Sequence, residues 1–411
     1  MPDKRVESGE NMPGKKQTDF FDVAVVGGGP SGRITALTLA KRGLSCVLVA
    51  PAAPRPDGRT TALWQKSISL LDEIGVWQSI RDNAAQLKKM RMIDDTGRLI
   101  HAPEVVFDSS ELELEEFGFN ILNNDLNAVL EERCAAQKNL TVVPGLVSSA
   151  AFGREHAVLT TANDKTIKAR LVVAADGRNS LLRETVGIDV KRWSYPQVAV
   201  VLNLEHRLPH HNVSTEFHTP TGPFTLVPLP GRQSSLVCVE TAEGAQRLLT
   251  MSTSELELEL ERRAHSILGW FKLASKAQSF PLAGLTATRL TADRLALVGE
   301  TAHVFPPIGA QGLNLSLRDI SDLGNVLSKA LARNQDIGSS AVLAGYETRR
   351  RSDIRSRTNA VDALNRSLLT GFLPVQLARG AGMYFAGKVG PLRRLLMREG
   401  MAPGAGFELF R

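Results

Sequence analysis

The sequence predicts an α/β chain. A Rossmann-like nucleotide-binding domain is interleaved with a mixed or antiparallel β-sheet domain, and helices follow at the C-terminal end. Three observations predict this. A glycine-rich turn, Gly27-Gly28-Gly29-Pro30-Ser31-Gly32, joins a short apolar run to a helical pattern near the start. Short β-rich segments broken by Pro and Gly fill residues 191–284. Long helical patterns occupy 313–331 and 341–369. The length of 411 residues suits two joined domains. Hydrophobic residues at 43% and charged residues at 22% are ordinary globular values, which excludes a disordered, collagen-like or coiled-coil chain.

The first 19 residues are polar and balanced in charge, and read as an arm rather than a signal peptide. Residues 20–26 are a buried strand, 33–42 a helix and 45–50 a second buried strand, so this stretch is a βαβ unit. Residues 51–58 are a Pro-rich loop. Residues 61–80 read as helix interrupted near Gly75, and 121–136 as an amphipathic helix. Strands are expected at 140–144, 157–162 and 166–174. The β-rich block supplies 198–204, 213–218, 224–227 and 236–240. Leu and Glu alternate from Glu255 to Leu260, but helix-forming residues and a Ser252/Glu255 capping pair favour helix over 254–268. Strands return at 285–290 and 294–298. The domains are therefore discontinuous. The nucleotide-binding domain takes 20–85, 111–190 and 285–345, the substrate domain takes 86–110 and 191–284, and 346–411 is a basic helical segment.

Charge is uneven. The net charge is +6, yet residues 346–411 hold 12 basic and 5 acidic residues, so the body is nearly neutral. A basic tail calls for an acidic surface, either nucleic acid or anionic membrane. No nucleic-acid motif is present, which disfavours the former. Cys46, Cys134 and Cys238 are scattered, which reads as a reducing compartment, the cytoplasm. No apolar run reaches the ~18 residues of a membrane span. HExxH, GxSxG and Cys/His metal spacings are absent. His206, His210, His211 and His218 gather in the β block and read as solvated loop histidines, so no metal is expected.

Three motifs carry chemistry. Gly27, Gly29 and Gly32 form GxGxxG between strand and helix. Gly27 permits the tight turn, Gly29 lets a pyrophosphate approach the backbone, and Gly32 lets the helix pack on the strand. The acidic residue expected at the end of the second strand is missing: Ala50 and Pro51 stand there, and the nearest carboxylate is Asp57. The second motif runs Leu171-Val172-Val173-Ala174-Ala175-Asp176-Gly177, into a helix start at Ser180 and Arg183. The third and most specific starts at Gly299-Glu300-Thr301-Ala302-His303 and passes Pro306-Pro307. It enters a helix through Gly309-Ala310-Gln311-Gly312-Leu313-Asn314. The helix N-terminus there suits negative charge on a ring system. His303 alone reads as a packed structural histidine.

These motifs, in this order, resemble the flavoprotein aromatic hydroxylases, single-component FAD monooxygenases with a p-hydroxybenzoate-hydroxylase-like fold. Further stretches resemble the ubiquinone-biosynthesis hydroxylases of the UbiH/UbiF type: Arg59-Thr60-Thr61-Ala62-Leu63, Asn123-x-x-Leu126, Gly222 to Pro230, and Tyr346 with Arg350-Arg351-Ser352-Asp353. The resemblance covers about residues 20–400. It implies FAD as cofactor and NADPH or NADH as electron donor. It implies that Gly27, Gly29 and Gly32 hold the FAD pyrophosphate, and that Arg59 and Asn123 contact the flavin nucleotide. Asp176 would serve FAD and the nicotinamide donor. Gly299 and Glu300 would hold the ribityl chain, with Glu300 replacing the family's usual Asp. Gly309, Gln311, Gly312 and Asn314 would pass beside the isoalloxazine ring.

The implied reaction is ring hydroxylation of a polyprenyl phenol or quinol with O2 through a flavin hydroperoxide, and no catalytic side chain is assigned. Phe224, Val227, Pro228 and Pro307 are the pocket candidates; plain sheet core is the other reading of the 224–230 strand. A bilayer substrate gives the tail two candidate partners, an anionic inner-membrane surface and other quinone-biosynthesis proteins. Two alternatives stand beside this reading: an FAD hydroxylase of another aromatic metabolite, and a non-catalytic flavin-binding subunit.

Overall fold

The computed structural model describes residues 19–51, 58–97, 102–306, 311–369 and 390–401. The 1–18 arm, Asp57, Pro307, Gly309 and the 372–385 apolar stretch of the tail lie outside them.

The chain opens with β1 (Asp19–Val26), α1 (Pro30–Lys41) and β2 (Cys46–Ala50). From Val23 on, the apolar residues of the two strands are buried, as a parallel sheet covered on both faces requires, while Phe20 at the start of β1 is exposed. Next come β3 (Thr60–Trp64), α2 (Gln65–Glu73), α3 (Trp77–Ile80) and β4 (Ala85–Leu87). Then follow β5 (Lys89–Asp94), β6 (Val105–Asp108), β7 (Gly118–Leu122) and α4 (Asn123–Ala136). The first two corrections fall here. The expected helix from residue 61 is a strand until Trp64, and the expected helix from residue 121 starts at Asn123. Thr60–Trp64 and Gly118–Leu122 pair antiparallel, with β4 on the other side of β7. The β-branched Thr60 and Thr61 fit that ladder, and a non-local partner overrides local helix propensity.

β8 (Leu140–Pro144), β9 (Val147–Phe152), β10 (Ala157–Thr161) and β11 (Thr166–Ala174) follow, then the short α5 (Leu181–Thr185). β9 was not expected, because its SSAA centre carries little apolar signal; it pairs with β10 at the sheet margin. The first sheet runs β18-β19-β11-β1-β2-β8, with β10 and β9 attached through β11. Its central pairs are parallel.

The β-rich block gives longer strands than expected: β12 (Val190–His206), β13 (Val213–Thr219), β14 (Gly222–Leu229) and β15 (Gln233–Thr241). α6 (Ala242–Thr250) and α7 (Thr253–Arg263) cover one face. α7 carries the Ser252/Glu255 capping box, so the alternating Leu-Glu stretch is helix. β16 (Phe271–Leu273), β17 (Gln278–Ala287), β18 (Thr291–Ala292), β19 (Leu295–Leu297) and β20 (His303–Val304) complete the strands. The second sheet runs β20-β17-β12-β15-β14-β13-β5-β6, so β5 and β6 join a sheet whose other strands come a hundred residues later. α8 (Gln311–Ala332) and α9 (Ser340–Leu369) pack on the first sheet, and a last described helix spans Gly390–Met401. Among the described residues no helix is long and apolar enough to cross a membrane.

One buried ionic cluster fixes how these helices meet the sheet. Asp319 on α8 is fully buried. It accepts from His303 Nε2 at 2.6 Å, Arg350 Nε at 2.7 Å and the Gly299 backbone N–H at 3.0 Å. Arg350 on α9 also donates to Asp353 at 2.7 Å and reaches Asp322 at 3.3 Å. Tyr346, one turn before Arg350, donates to the Leu297 carbonyl at 2.7 Å. Burial alone would raise the Asp319 pKa, but attraction to His303 and Arg350, with hydrogen bonds from His303 and the Gly299 N–H, holds it below the usual carboxylate range. Removing one partner of a buried cluster costs about 3–5 kcal/mol.

Asp319→Asn is therefore expected to lose about 3 kcal/mol or more of stability at neutral pH, read by urea unfolding. The folded pKa lies below the unfolded value, so the native carboxylate's contribution is complete above about pH 4 and lost as pH falls through the folded value. The gap between the two proteins should narrow on acidification; a gap that widens would contradict the assignment.

Candidate cofactor and active site

Three loops meet at the carboxyl ends of β1, β11 and β19, which are neighbours in the first sheet. Open parallel sheets bind ligands at such ends. The Gly27 loop comes from β1. Gly27 has φ +135°, and a Cβ there would fall 2.1 Å from the Ala175 carbonyl oxygen, so only glycine lets the first two loops touch. A Cβ on Gly32 would fall 2.0 Å from the Gly27 oxygen, which seats α1 tightly against the loop. Gly29 differs: a Cβ there meets nothing within 4 Å. Gly29 is the N-cap of α1 and has no side chain to satisfy its first N–H groups, and no acidic residue lies in the first turn. That end of the helix suits an anion.

The β11 loop brings Asp176, and the β19 loop brings Gly299, Glu300 and Thr301. Thr301 Oγ1 donates to Asp176 Oδ1 at 3.3 Å and accepts from the Gly177 N–H at 3.1 Å. Burial raises the Asp176 pKa despite these bonds. Arg183 is fully buried and donates to the Thr301 and Arg178 carbonyls at 2.9 and 3.0 Å. Glu300 points out: its carboxylate is 3.7 Å from Arg178, and both side chains are more than half exposed.

Arg59 and Asn123 lie where β3 and α4 begin their elements. The Asn123 N–H donates to the Arg59 carbonyl at 2.9 Å, and Asn123 Oδ1 accepts from Thr61 at 2.6 Å. The Arg59 guanidinium sits 5.1 Å from the Phe280 ring centre. Asn314 on α8 is buried. It accepts from the Trp64 N–H at 3.0 Å and Ser67 at 2.7 Å, and donates to the Ala62 carbonyl at 2.7 Å. Its side chain ties α8 to β3 and α2 and leaves only its backbone for a ring. Gln311 opens α8, and a Cβ on Gly312 meets nothing within 4 Å.

The second sheet faces this site with one side. Ser235 Oγ lies 2.8 Å from Thr60 Oγ1, and Asn203 donates to the Gly58 carbonyl at 3.0 Å. Alternate residues share a face, so Val201, Thr225, Val227 and Val237 point the same way as Ser235 and Asn203. Of the pocket candidates, Val227 is on this face. Phe224 is on the other: it is buried under α6 and α7 with Phe217 and Leu236, so it is core. Pro228 is buried, and its carbonyl accepts from Asn120 at 2.9 Å. The histidines correct the sequence reading too. His206 and His218 are buried on strands, not solvated in loops. Among the described residues no group of three potential ligands is placed to hold a metal.

The pattern of the family described as FAD binding domain matches residues 21–360. The chain belongs to that family. This FAD-binding chain is 34% identical over 388 residues to ubiquinone hydroxylase UbiL of Rhodospirillum rubrum, covering 92% of this chain and 89% of that one. It is 29% identical over 385 residues to 3-demethoxyubiquinol 3-hydroxylase of Escherichia coli, covering 92% and 97%. The crystal structure of p-nitrophenol 4-monooxygenase PnpA from Pseudomonas putida superposes with a TM-score of 0.76 at 20% identity, over 93% of this chain and 98% of that one. That last likeness is one of fold.

The residues present fit FAD: the bare N-terminus of α1 and the open space at Gly29 suit its pyrophosphate. Thr301, Asp319 and Arg183 organise the site but escaped the sequence reading. Thr301 and Arg183 stood inside quoted motifs; Asp319 carried no sequence signal. The glycines separate folding from binding. Gly29→Val is expected to leave unfolding by urea within about 1 kcal/mol of the wild type and lower FAD affinity at least tenfold, read by flavin fluorescence titration. Gly32→Ala should lose both fold and flavin, because its methyl meets backbone. Equal behaviour of the two variants would contradict this account.

Proposed function

We propose that the chain is an FAD-dependent monooxygenase that uses NAD(P)H and O2 to hydroxylate the ring of a polyprenyl phenol or quinol in ubiquinone biosynthesis. The observation that carries the reading is a row of half-exposed residues crossing the sheet face opposite the glycine cradle. Val201, Val237, Thr225, Glu216 and Met92 stand side by side on β12, β15, β14, β13 and β5. Each is intermediate in exposure, while Ala199, Val239 and His218 beside them are buried. We read this row as the floor of a mostly apolar furrow, which suits an aromatic ring with an apolar tail. Two relatives named as ubiquinone-pathway hydroxylases align over nine-tenths of this chain.

When bound, FAD would supply the redox chemistry: two electrons from NAD(P)H, with one atom of O2 entering the ring and the other leaving as water. The protein's part is binding and exclusion. Gly27, Gly29 and Gly32 seat the pyrophosphate on α1. Arg59 and Asn123 flank the nucleotide, with Asp176, Gly299 and Glu300 toward the ribityl chain. Gln311 and Gly312 would border the ring, and Asn314 would hold that border in place. Val201, Val227 and Val237 keep water from the reacting face.

Purified protein is expected to carry flavin absorbance and to oxidise NAD(P)H when given a prenylated phenol, gaining one ring hydroxyl per NAD(P)H consumed. A deletion strain should accumulate a quinone precursor short of one ring oxygen. NAD(P)H oxidation with no oxygenated product in either experiment would overturn the reading.

We also infer a peripheral membrane contact through the last helix, on a narrower basis than the tail's charge. Arg350, Arg351, Arg357 and Arg393 are held internally by ion pairs or carbonyls. Among the described arginines of the tail that leaves Arg349 and Arg355 on α9 and Arg394 and Arg398 on the last helix, the latter two beside the exposed Leu396. The protein should sediment with vesicles containing anionic lipid, and Arg394→Glu with Arg398→Glu should abolish this. Equal sedimentation with zwitterionic vesicles would contradict it.

A further inference from the structure

Glu216 is the one charged member of the half-exposed row. Its side chain retains about a fifth of its exposure. Its neighbours in the row are Thr225 on one side and Met92 on the other. One step along the sheet stands Ser235, which touches Thr60 of the nucleotide-binding part. Two strand spacings and one step along the strand place Glu216 roughly 12 Å from that contact. That distance puts it across the furrow rather than at its closed end.

A carboxylate between Thr225 and Met92, with only about a fifth of its side chain open, is costly unless it is held. It is held on both oxygens. His218 Nε2 lies 2.9 Å from Glu216 Oε1, and Thr225 Oγ1 donates to Oε2 at 3.2 Å. His218 is itself almost fully buried, and its Nδ1 has no hydrogen-bond partner among the described residues. A buried histidine aimed this way serves to fix the carboxylate's orientation. Each carboxylate oxygen carries about two lone-pair sites, so acceptor capacity remains after these two bonds. The side chain stands on the same face as Thr225 and Val237, with about a fifth of it open.

We propose that Glu216 is the group that binds the ring hydroxyl of the substrate, accepting its hydrogen bond, with His218 and Thr225 as positioning residues. The proposal rests on the reading of the furrow as the substrate site. It assigns a chemical class to the ring: it bears a hydroxyl donor at this point and no anionic substituent beside it. A carboxylate next to the hydroxyl would meet Glu216 as a like charge in a poorly hydrated place. The reaction that supplies this substrate therefore leaves the position beside the hydroxyl uncharged. An acceptor bond from the ring hydroxyl also places electron density on the ring, which favours attack on an electrophilic oxygen.

The test uses the FAD-loaded full chain and three probes: 2-geranylphenol, its methyl ether, and 3-geranyl-2-hydroxybenzoate, whose carboxylate sits beside the hydroxyl. Binding is read from the perturbation of flavin absorbance, and hydroxylation of the phenol is followed beside it. The wild type is expected to bind the phenol about 10- to 100-fold better than the ether, the range for a hydrogen bond to a charged group. Glu216→Leu should bring the two within about threefold of each other. Glu216→Gln, nearly isosteric and offering a donor, should keep part of the phenol preference and bind the benzoate at least tenfold better than the wild type does. His218→Ala should lower the phenol preference several-fold, and His218→Gln should restore it. If the wild type hydroxylates the phenol and Glu216→Leu keeps its full preference with normal FAD content, this assignment falls and the monooxygenase reading stands. If the wild type neither binds nor hydroxylates any of the prenylated rings, the substrate reading falls and takes the assignment with it.

Discussion

A carboxylate with no access to water must be surrounded by donors, and Asp319 is surrounded by donors from three separate segments. Gly299 comes from the turn after β19, His303 from β20 and Arg350 from α9. The carboxylate itself belongs to α8. Desolvating an isolated carboxylate costs several kcal/mol, so these segments are held to one arrangement or the charge is stranded. The turn fixed this way carries Thr301, which in turn fixes Asp176. Asn314, five residues before Asp319 on the same helix, then fixes the start of α2 through Trp64 and Ser67. The cofactor loops inherit their positions from this one buried charge.

The site lies on a seam between two sheets of different character. The parallel sheet supplies loop ends and a helix terminus, which suit phosphates. The second sheet supplies a broad face whose side chains alternate between helix-covered core and furrow. Few direct hydrogen bonds hold the seam at its centre: Thr60 with Ser235, Gly58 with Asn203, and Pro228 with Asn120. All of them reach from the segments around β3 and β7. That small three-stranded sheet is the bracket that sets the width of the furrow.

Much of the nucleotide-binding half was legible in the sequence, because its constraints are local. Gly27 carries a positive φ, Gly32 must clear the Gly27 oxygen five residues back, and apolar runs mark the buried parallel strands. What escaped was decided by distant partners. Thr60–Trp64 became a strand only because Gly118–Leu122 lies beside it. Phe224 and Val227 are three residues apart yet face opposite sides, a parity that spacing gives but a motif does not. Asn314 stood in the motif for its position, but its side chain serves the fold. The tail read as a block of positive charge; the structure divides it into arginines bound internally and a few left on the surface. Glu216 and His218 gave no motif at all, and only the register of β13 against β14 brings them to the furrow.

The three cysteines add a last point. All are free, and all are buried: Cys46 on β2, Cys134 on α4 and Cys238 on β15. Burial pushes the Cys134 and Cys238 thiols up to about 12 and Cys46 higher still. Oxidants attack the thiolate, and almost none exists here at neutral pH. An enzyme that handles reduced flavin and O2 releases hydrogen peroxide whenever a turnover aborts. This chain would meet its own by-product with three buried thiols that burial keeps protonated, which makes them poor targets for it.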